Sequence, residues 1–339
     1  MELTRRRMLL GSLAAGGLLL AGCGSGGNEN QAPGTGGGDG GGEGFPVTVD
    51  HKLGTTTIER APQRLASLGY TDHDAIMALG VAPVGVRYWY GDKNNAIQPW
   101  AKAAAQAVNA KPTVLDMDTI APEKVAALNP DEIIGVYSDL DAKNYPVINQ
   151  IAPTVGPVKD FGDYEAPWQE TTRLIGRALG KAQEADKLVS DVEARFAQVA
   201  ADNPQWKGKT VAVAYRSADK YGVFASGDPR ARFFTALGFV VPKQYDDLAG
   251  DKFYADVSFE QASQLDQELI VWDQLSFTPG GKATLQKDPL ASKLKAMQQK
   301  HALYLEGATE LAFAWQTVLS LPSVLDGVVP QLQKMFPKA

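Results

Sequence analysis

The chain of 339 residues has little cysteine and little histidine. Cys23 is the only cysteine, so the folded part of the chain forms no disulfide and no thiolate metal site. The three histidines, His51, His73 and His301, are far apart in sequence. His73 falls in the first turn of a helix that Thr71 is expected to cap, where a surface position is expected. We therefore predict that the protein supplies no metal ligands and carries no cofactor.

The sequence also lacks an apolar run of the roughly 20 residues that cross a membrane. The apolar run over residues 8–22 is shorter, follows Arg5, Arg6 and Arg7, and ends in Leu20-Ala21-Gly22-Cys23. This pattern is typical of a bacterial lipoprotein signal peptide, although a short membrane anchor is the alternative. We predict a signal peptide over residues 1–22 and a lipid on the Cys23 thiol, which holds the protein outside the cytoplasmic membrane.

Positive charge is scarce, and large side chains are missing from one long segment. Removal of residues 1–22, with three arginines and one glutamate, lowers the formal net charge from −6 to −8, which argues against a nucleic-acid partner. Residues 24–44 contain eleven glycines and no large apolar side chain. Such a segment buries too little surface to fold, so residues 23–45 are predicted to be a flexible tether.

Common catalytic motifs are missing as well. The folded region contains no G-x-S-x-G, no H-E-x-x-H and no P-loop. We therefore predict that the protein is not an enzyme. A secreted lipoprotein hydrolase and a structural or adhesive lipoprotein are the alternatives from other classes.

Short apolar strands alternate with helices on both sides of a long helical segment. The alternation predicts α/β architecture with two doubly wound lobes, over residues 46–166 and 204–339. Apolar residues recur at helical spacing between the lobes, and no proline occurs from Trp168 until Pro204. We predict one continuous helix over residues 167–203 that joins the lobes.

Aromatic residues and arginines follow the predicted strands in both lobes. Ligands of open α/β sheets bind outside the carboxyl ends of the strands, so these residues are candidates for a ligand site. Guanidinium groups suit anionic oxygens, and rings suit a bulky ligand, although each ring is as readily explained by core packing. Arg87, Tyr88, Tyr215, Arg216 and Trp272 are predicted to line one pocket. The candidate ligand residues are Tyr70, Arg87, Tyr88, Trp89, Tyr137, Tyr215, Arg216, Arg230 and Trp272.

Several sequence blocks resemble a family of bacterial binding proteins. They are APQRL at residues 61–65, DAIMALGVAPVGV at 74–86, PEKVAALNPDEII at 122–134 and SFEQA at 258–262. In this order around the long helix, and with the lipoprotein signal, they resemble the periplasmic binding proteins whose two lobes are joined by one helix. Within that class the chain is most similar to the iron–siderophore branch.

The resemblance implies a function and partners. It implies capture of a ferric siderophore between the lobes and delivery to the permease of an ABC importer, with haem or cobalamin as the alternative ligand. Glu123 and Glu260 match the glutamates that meet permease arginines in this class, one from each lobe, although capping of a helix N-terminus would also explain them. We expect a monomer.

Overall fold

The structure, a computed structural model, describes residues 44–89, 93–94 and 96–338. The predicted signal peptide over residues 1–22, the lipidation at Cys23 and the tether as far as Glu43 lie outside the described residues. The strands and helices of the N-terminal lobe are β1 (Val47–His51), β2 (Gly54–Ile58), β3 (Leu65–Ser67), α1 (Asp72–Ala78), β4 (Gly85–Arg87), α2 (Lys102–Ala107), β5 (Thr113–Leu115), α3 (Pro122–Ala126), β6 (Glu132–Ile134), α4 (Tyr145–Asn149), β7 (Thr154–Val155) and α5 (Trp168–Ala178).

The N-terminal sheet is parallel throughout, with strand order β5-β4-β3-β6-β7. Strands β3, β4, β6 and β7 are buried on both faces, as Leu65, Ile133 and Ile134 show. The strand order reverses between β3 and β6, so the chain leaves these neighbours in opposite directions and a crevice opens at their carboxyl ends. A separate antiparallel hairpin, β1–β2, lies at the start of the lobe.

The C-terminal sheet is mixed, with order β10-β9-β8-β11-β12. Strands β8, β11 and β12 are parallel, whereas β9 is antiparallel to both β8 and β10. The elements after α5 are α6 (Ala182–Asp202), β8 (Val211–Arg216), β9 (Tyr221–Phe224), α7 (Pro229–Ala236), α8 (Lys243–Ala249), β10 (Tyr254–Val257), β11 (Leu269–Trp272), α9 (Gly281–Lys287), α10 (Lys295–Gln298), β12 (Ala302–Tyr304), α11 (Gly307–Trp315) and α12 (Ser320–Met335). Two α/β lobes of this kind confirm the predicted fold class.

The prediction of one continuous helix over residues 167–203 is wrong in its extent. The chain turns at Gly180, whose φ is +64°, and α5 folds back against α6. The Arg173 guanidinium contacts Asp186 at 3.0 Å, and the Gln169 side chain donates to Glu193 at 3.1 Å, so the two helices are antiparallel. A Cβ atom on Gly176 would lie 2.2 Å from the Ala185 Cβ. Gly176 therefore allows the helices to approach closely.

Helix α6 is the element that joins the lobes. At about 1.5 Å per residue, its 21 residues span about 32 Å. One side packs on α5, which contacts α1 and β1 of the N-terminal lobe, and the other contacts α7 and α12. Its Arg195 pairs with Asp326 on α12, and its Phe196 ring lies 5.2 Å from the Phe233 ring on α7. The exact lobe boundaries stay a prediction. No helix in the described part of the chain is long and apolar enough to span a membrane.

A second connection between the lobes lies around Asp74, which is fully buried in α1. Its Oδ2 accepts hydrogen bonds from Trp100 Nε1 at 2.7 Å and from Thr317 Oγ1, between α11 and α12, at 2.6 Å. The neighbouring His73 is also fully buried, with its ring 5.2 Å from that of Trp315. The expectation of a surface His73 is therefore wrong, because the end of α11 and the segment that follows it cover α1. Nor does Thr71 cap α1 with its side chain.

Candidate functional site

Two tyrosines stand at the crevice between β3 and β6. Tyr70 follows β3 and Tyr137 follows β6, and the Tyr70 amide donates to the Tyr137 carbonyl at 2.9 Å. The buried Asp72 carboxylate accepts from the Val136 amide at 2.7 Å and from the Tyr137 amide at 3.0 Å. Burial raises the pKa of Asp72 to about 6, although these two hydrogen bonds act to lower it. Asp72, the first residue of α1, thus positions the loop that carries Tyr137.

Arg87 packs against both of these loops. Its side chain is fully buried, and its guanidinium carbon lies 4.3 Å from the centre of the Tyr70 ring. It pairs with Asp139 and donates to the Asp118 carbonyl at 2.6 Å. The guanidinium is therefore satisfied within the lobe, and Arg87 holds the Tyr70 ring in place.

The C-terminal lobe contributes the start of α7. Asp228 caps this helix, because its Oδ1 accepts from the Arg230 amide at 2.8 Å. The Arg230 guanidinium donates to both Asp228 oxygens, at 2.8 and 2.7 Å, and lies 3.7 Å from the centre of the Phe224 ring. Burial acts to lower the pKa of Arg230, but Asp228 more than offsets it and the pKa is raised. Arg230 is a rigidly held, charged group.

These side chains meet at one cavity of about 260 Å³ between the lobes. The rings touch in sequence: Tyr70 lies 5.8 Å from Trp89 and 6.1 Å from Tyr164, and Tyr137 lies 5.3 Å from Tyr164. The volume falls just below the roughly 300–1,000 Å³ typical of small-molecule sites, so a bulky ligand would project from it. The lining residues are Tyr70, Trp89, Tyr137, Tyr164, Asp228, Pro229, Arg230, Phe253, Ala314 and Gln316.

Four candidate ligand residues, Tyr70, Trp89, Tyr137 and Arg230, thus come together, and their role stays a prediction. The prediction that Arg87, Tyr88, Tyr215, Arg216 and Trp272 line one pocket is wrong, since none of these five lines the cavity.

Side-chain alternation along β8 explains part of this error. Tyr215 and Arg216 point to opposite faces of the sheet. Tyr215 packs on Gly222, and its ring lies 5.4 Å from that of Phe224. Arg216 pairs with Asp288 at 3.1 Å on the other face.

Trp272 and Tyr88 are also occupied elsewhere. Trp272 is fully buried at the end of β11, where its indole N–H points at Met297 Sδ at 3.4 Å. The Tyr88 ring lies 5.1 Å from the Lys93 ammonium. Trp272 contacts a residue distant in sequence, and Tyr88 contacts a residue on a loop. The strand pattern alone predicts neither contact.

Sequence reasoning missed several wall residues. Tyr164, Phe253 and Gln316 come from connecting segments far apart in the chain. Tyr164 and Gln316 have left-handed backbone, with φ of +63° and +50°, a strain often held at functional sites. Asp228 alone carried a usable signal, because Gly227-Asp228-Pro229 is a typical helix start beside the predicted Arg230.

A larger cavity, of about 560 Å³, lies beyond Pro229 and Gln316, between α5, α6 and α7. There Arg232 donates to the Glu165 carbonyl at 2.8 Å. We place the candidate site in the smaller cavity because loops at the strand-order reversal and rings of both lobes converge there. The larger one is walled by the linking helices.

The two glutamates predicted to meet the permease are both exposed. Glu123 lies in the first turn of α3, beyond the loop whose Asp118 carbonyl binds Arg87 at the carboxyl edge of the N-terminal sheet. Glu260 follows β10, which runs in the same direction as β8, so it also stands at a carboxyl edge. The described residues include no cluster of three or more His, Cys, Asp or Glu side chains that would hold a metal ion.

Known proteins resemble this chain over most of its length. Residues 65–309 match the periplasmic binding protein family. The putative ABC transporter substrate-binding lipoprotein YhfQ of Bacillus subtilis is 26% identical over 309 residues, covering 86% of this chain and 89% of YhfQ. The ferric-anguibactin-binding protein FatB of Vibrio anguillarum is 23% identical over 306 residues, covering 85% and 88%. PiaA of Streptococcus pneumoniae, solved with ferrichrome, is 26% identical and superposes with a TM-score of 0.72, covering 85% and 98%. The chain belongs to the periplasmic binding protein family.

Proposed function

We propose that this protein captures a ferric siderophore in the cavity between its lobes and delivers it to an ABC permease. The observation that carries the proposal is the convergence of five aromatic side chains, from both lobes, on one cavity that also holds Arg230. The names of FatB and PiaA support it, since one binds ferric anguibactin and the other was solved with ferrichrome. Binding without chemical conversion fits a family of substrate-binding proteins.

Within this proposal the contact residues have distinct roles. The N-terminal lobe presents the rings of Tyr70, Trp89 and Tyr137, and the two tyrosines also present hydroxyl groups. Arg230 offers hydrogen-bond donors from the C-terminal lobe. Tyr164, Phe253 and Gln316 complete the wall, so they join the candidate ligand residues.

Delivery requires a docking surface. We propose that Glu123 and Glu260 meet arginines of the permease, one from each lobe. Their exposure and their positions at the carboxyl edges, where the cavity also opens, support this assignment. Two carboxylates at separate points would set the orientation of the complex.

Attachment to the membrane is also part of the proposal. A lipid on Cys23 and the glycine-rich tether to residue 45 would keep a monomeric binding protein near its permease. YhfQ is likewise named a lipoprotein. Globomycin, which blocks lipoprotein signal peptidase, would then cause the precursor with residues 1–22 to accumulate.

Tryptophan fluorescence tests ligand binding. Trp89 lines the cavity and its ring lies 5.8 Å from that of Trp315, so a bound ferric chelate should quench both. Titration of the mature protein with a panel of ferric siderophores should give saturable quenching, which Trp89→Phe reduces. Trp206→Phe is the matched control, because Trp206 is buried against Phe239 in the C-terminal lobe. If no ferric siderophore quenches the fluorescence, the proposed function is wrong.

A further inference from the structure

The arginines predicted to face the ligand are each paired with an aspartate. Sequence reasoning assigned these arginines to anionic oxygens of the ligand. In the structure, each guanidinium group already forms an ion pair with a carboxylate of the protein. The pairs are Arg87 with Asp139, Arg216 with Asp288 and Arg230 with Asp228.

The wall of the cavity carries no surplus charge. Among the described residues that line it, Asp228 and Arg230 are the only charged ones, and two hydrogen bonds join them. The side chain of Asp228 is 1% exposed and that of Arg230 is 20% exposed. Lys252, beside the wall residue Phe253, is exposed, so solvent screens its charge.

A second carboxylate lies behind Arg230. Asp273 follows β11, is 1% exposed, and its charge interacts with that of Arg230. Burial raises its pKa to about 6, although Arg230 acts to lower it. At neutral pH the Arg230 charge therefore interacts with two aspartates, and the surroundings of the cavity lean toward negative charge.

The remaining polar groups of the wall are neutral. Burial raises the pKa of Tyr137 to about 12 and also raises the pKa of Tyr164. Both phenols keep their protons near pH 7, so they add hydrogen-bond donors to the wall but no charge. An anionic ligand would give up water without meeting an unpaired cation, which is costly.

We infer that the cavity selects an uncharged ferric chelate of the tris-hydroxamate class over chelates with several negative charges. In such a chelate three singly charged hydroxamates balance Fe(III), and the surface offers neutral oxygen acceptors and apolar edges. This inference rests on the proposed function, since it names the class of siderophore that the same cavity takes.

Two titrations of the mature protein test the inference. Ferrichrome is the uncharged tris-hydroxamate, and ferric enterobactin, a tris-catecholate, is the multiply charged competitor. Ferrichrome should bind at least about tenfold more tightly, a difference of about 1.4 kcal/mol. Its Kd should also change less than about twofold between low and high salt, because no net charge is neutralised.

A charge variant tests the cause of the selectivity. Asp228→Asn retains a helix-capping side chain and removes one of the two carboxylates that interact with the Arg230 charge. The ratio of the two affinities should shift by about tenfold toward ferric enterobactin. Asp326→Asn is the matched control, because it also removes one paired aspartate, on α12 outside the cavity. It should leave the ratio unchanged.

The outcomes separate the two proposals. If neither chelate nor any other ferric siderophore binds, the proposed function fails. If ferric enterobactin binds as tightly as ferrichrome or more tightly, or if ferrichrome binding weakens strongly with salt, the function stands and the inference fails. The salt titration needs only the wild-type protein, so it decides the question even where Asp228→Asn does not fold.

Discussion

The two lobes present their carboxyl edges to the cavity in different ways. In the N-terminal lobe, residues just after strands β3, β4 and β6 reach the cavity, as Tyr70, Trp89 and Tyr137 show. In the C-terminal lobe, Arg216 and Trp272 at the ends of β8 and β11 do not, and the start of α7 supplies the wall instead. The rule that ligands bind at the carboxyl ends of strands therefore predicted cavity-lining residues directly after the strands of one lobe only.

Sheet topology accounts for the difference. The N-terminal sheet is parallel, and its strand order reverses between β3 and β6, which leaves a crevice for the loops. In the C-terminal sheet β8 turns directly into the antiparallel β9, and Ser217 and Lys220 close this turn with a 2.9 Å backbone bond. Arg216 is held there by Asp288, so its side chain pairs with a residue of its own lobe and does not reach the cavity.

The largest effect is expected from variants of the docking surface, to which both carboxyl edges are proposed to contribute a glutamate. The double variant Glu123→Arg with Glu260→Arg should abolish siderophore-dependent iron uptake by cells and leave binding by the purified protein intact, because it reverses charge at the docking surface alone. Each single variant should reduce uptake in part. Glu59→Arg with Glu184→Arg, also exposed, is the control. Normal uptake by the double variant would contradict the docking role.

A pair of binding-site variants tests the contrast between the lobes directly. Tyr137→Ala should weaken ligand binding by about 2 kcal/mol, because an aromatic contact in the cavity is lost. Arg216→Ala should change the affinity by less than about twofold but lower the melting temperature, since the buried Asp288 loses a partner. Fluorescence titration and thermal unfolding measure both effects. A large affinity loss in Arg216→Ala would restore the role that its strand position predicted.

A smaller effect concerns the link between the lobes at Asp74. Burial raises the pKa of Asp74 to about 6, above its unfolded value. The folded state therefore binds a proton first, and the free energy of unfolding should rise as the pH falls from 7 to 5. The gain is about 1 kcal/mol for this group.

Asp74→Asn isolates this dependence. The difference in unfolding free energy between wild type and variant should grow in favour of wild type from pH 7 to pH 5. His73 acts in the opposite direction, because burial lowers its pKa to about 4, but it is present in both proteins and cancels. Urea unfolding at both pH values measures the difference, and a pH-independent difference would show that Asp74 keeps an ordinary pKa.

The smallest expected change is in the relative position of the lobes. Helix α6 and the Asp74–Thr317 contact both join the lobes, so ligand binding should cause no large rotation. X-ray scattering curves of free and loaded protein should nearly superimpose. A domain rotation of the kind seen in hinge-type binding proteins would show that α6 bends and that the Asp74–Thr317 contact breaks on ligand binding.

Local patterns predicted much of the fold and part of the site. Short apolar strands between helices indicated two α/β lobes, but the consecutive strands β8 and β9 break that alternation in the C-terminal lobe. Tyr70 and Tyr137 were identifiable because each follows a buried strand of a parallel sheet. The helical spacing of apolar residues from Trp168 to Asp202 also predicts helix correctly, although it does not predict the reversal at Gly180.

By itself, the sequence determined the class of fold, the leading candidates of the N-terminal lobe and the acidic, cysteine-poor character of the folded chain. Tertiary structure alone decided that α5 folds back on α6, that His73 is buried under Trp315, and that aspartates neutralise Arg87, Arg216 and Arg230. The physical reason is the distance along the chain over which each kind of interaction acts. Periodicity and turn residues report the local backbone and which side of an element is apolar, whereas the partner that covers that side comes from a distant segment.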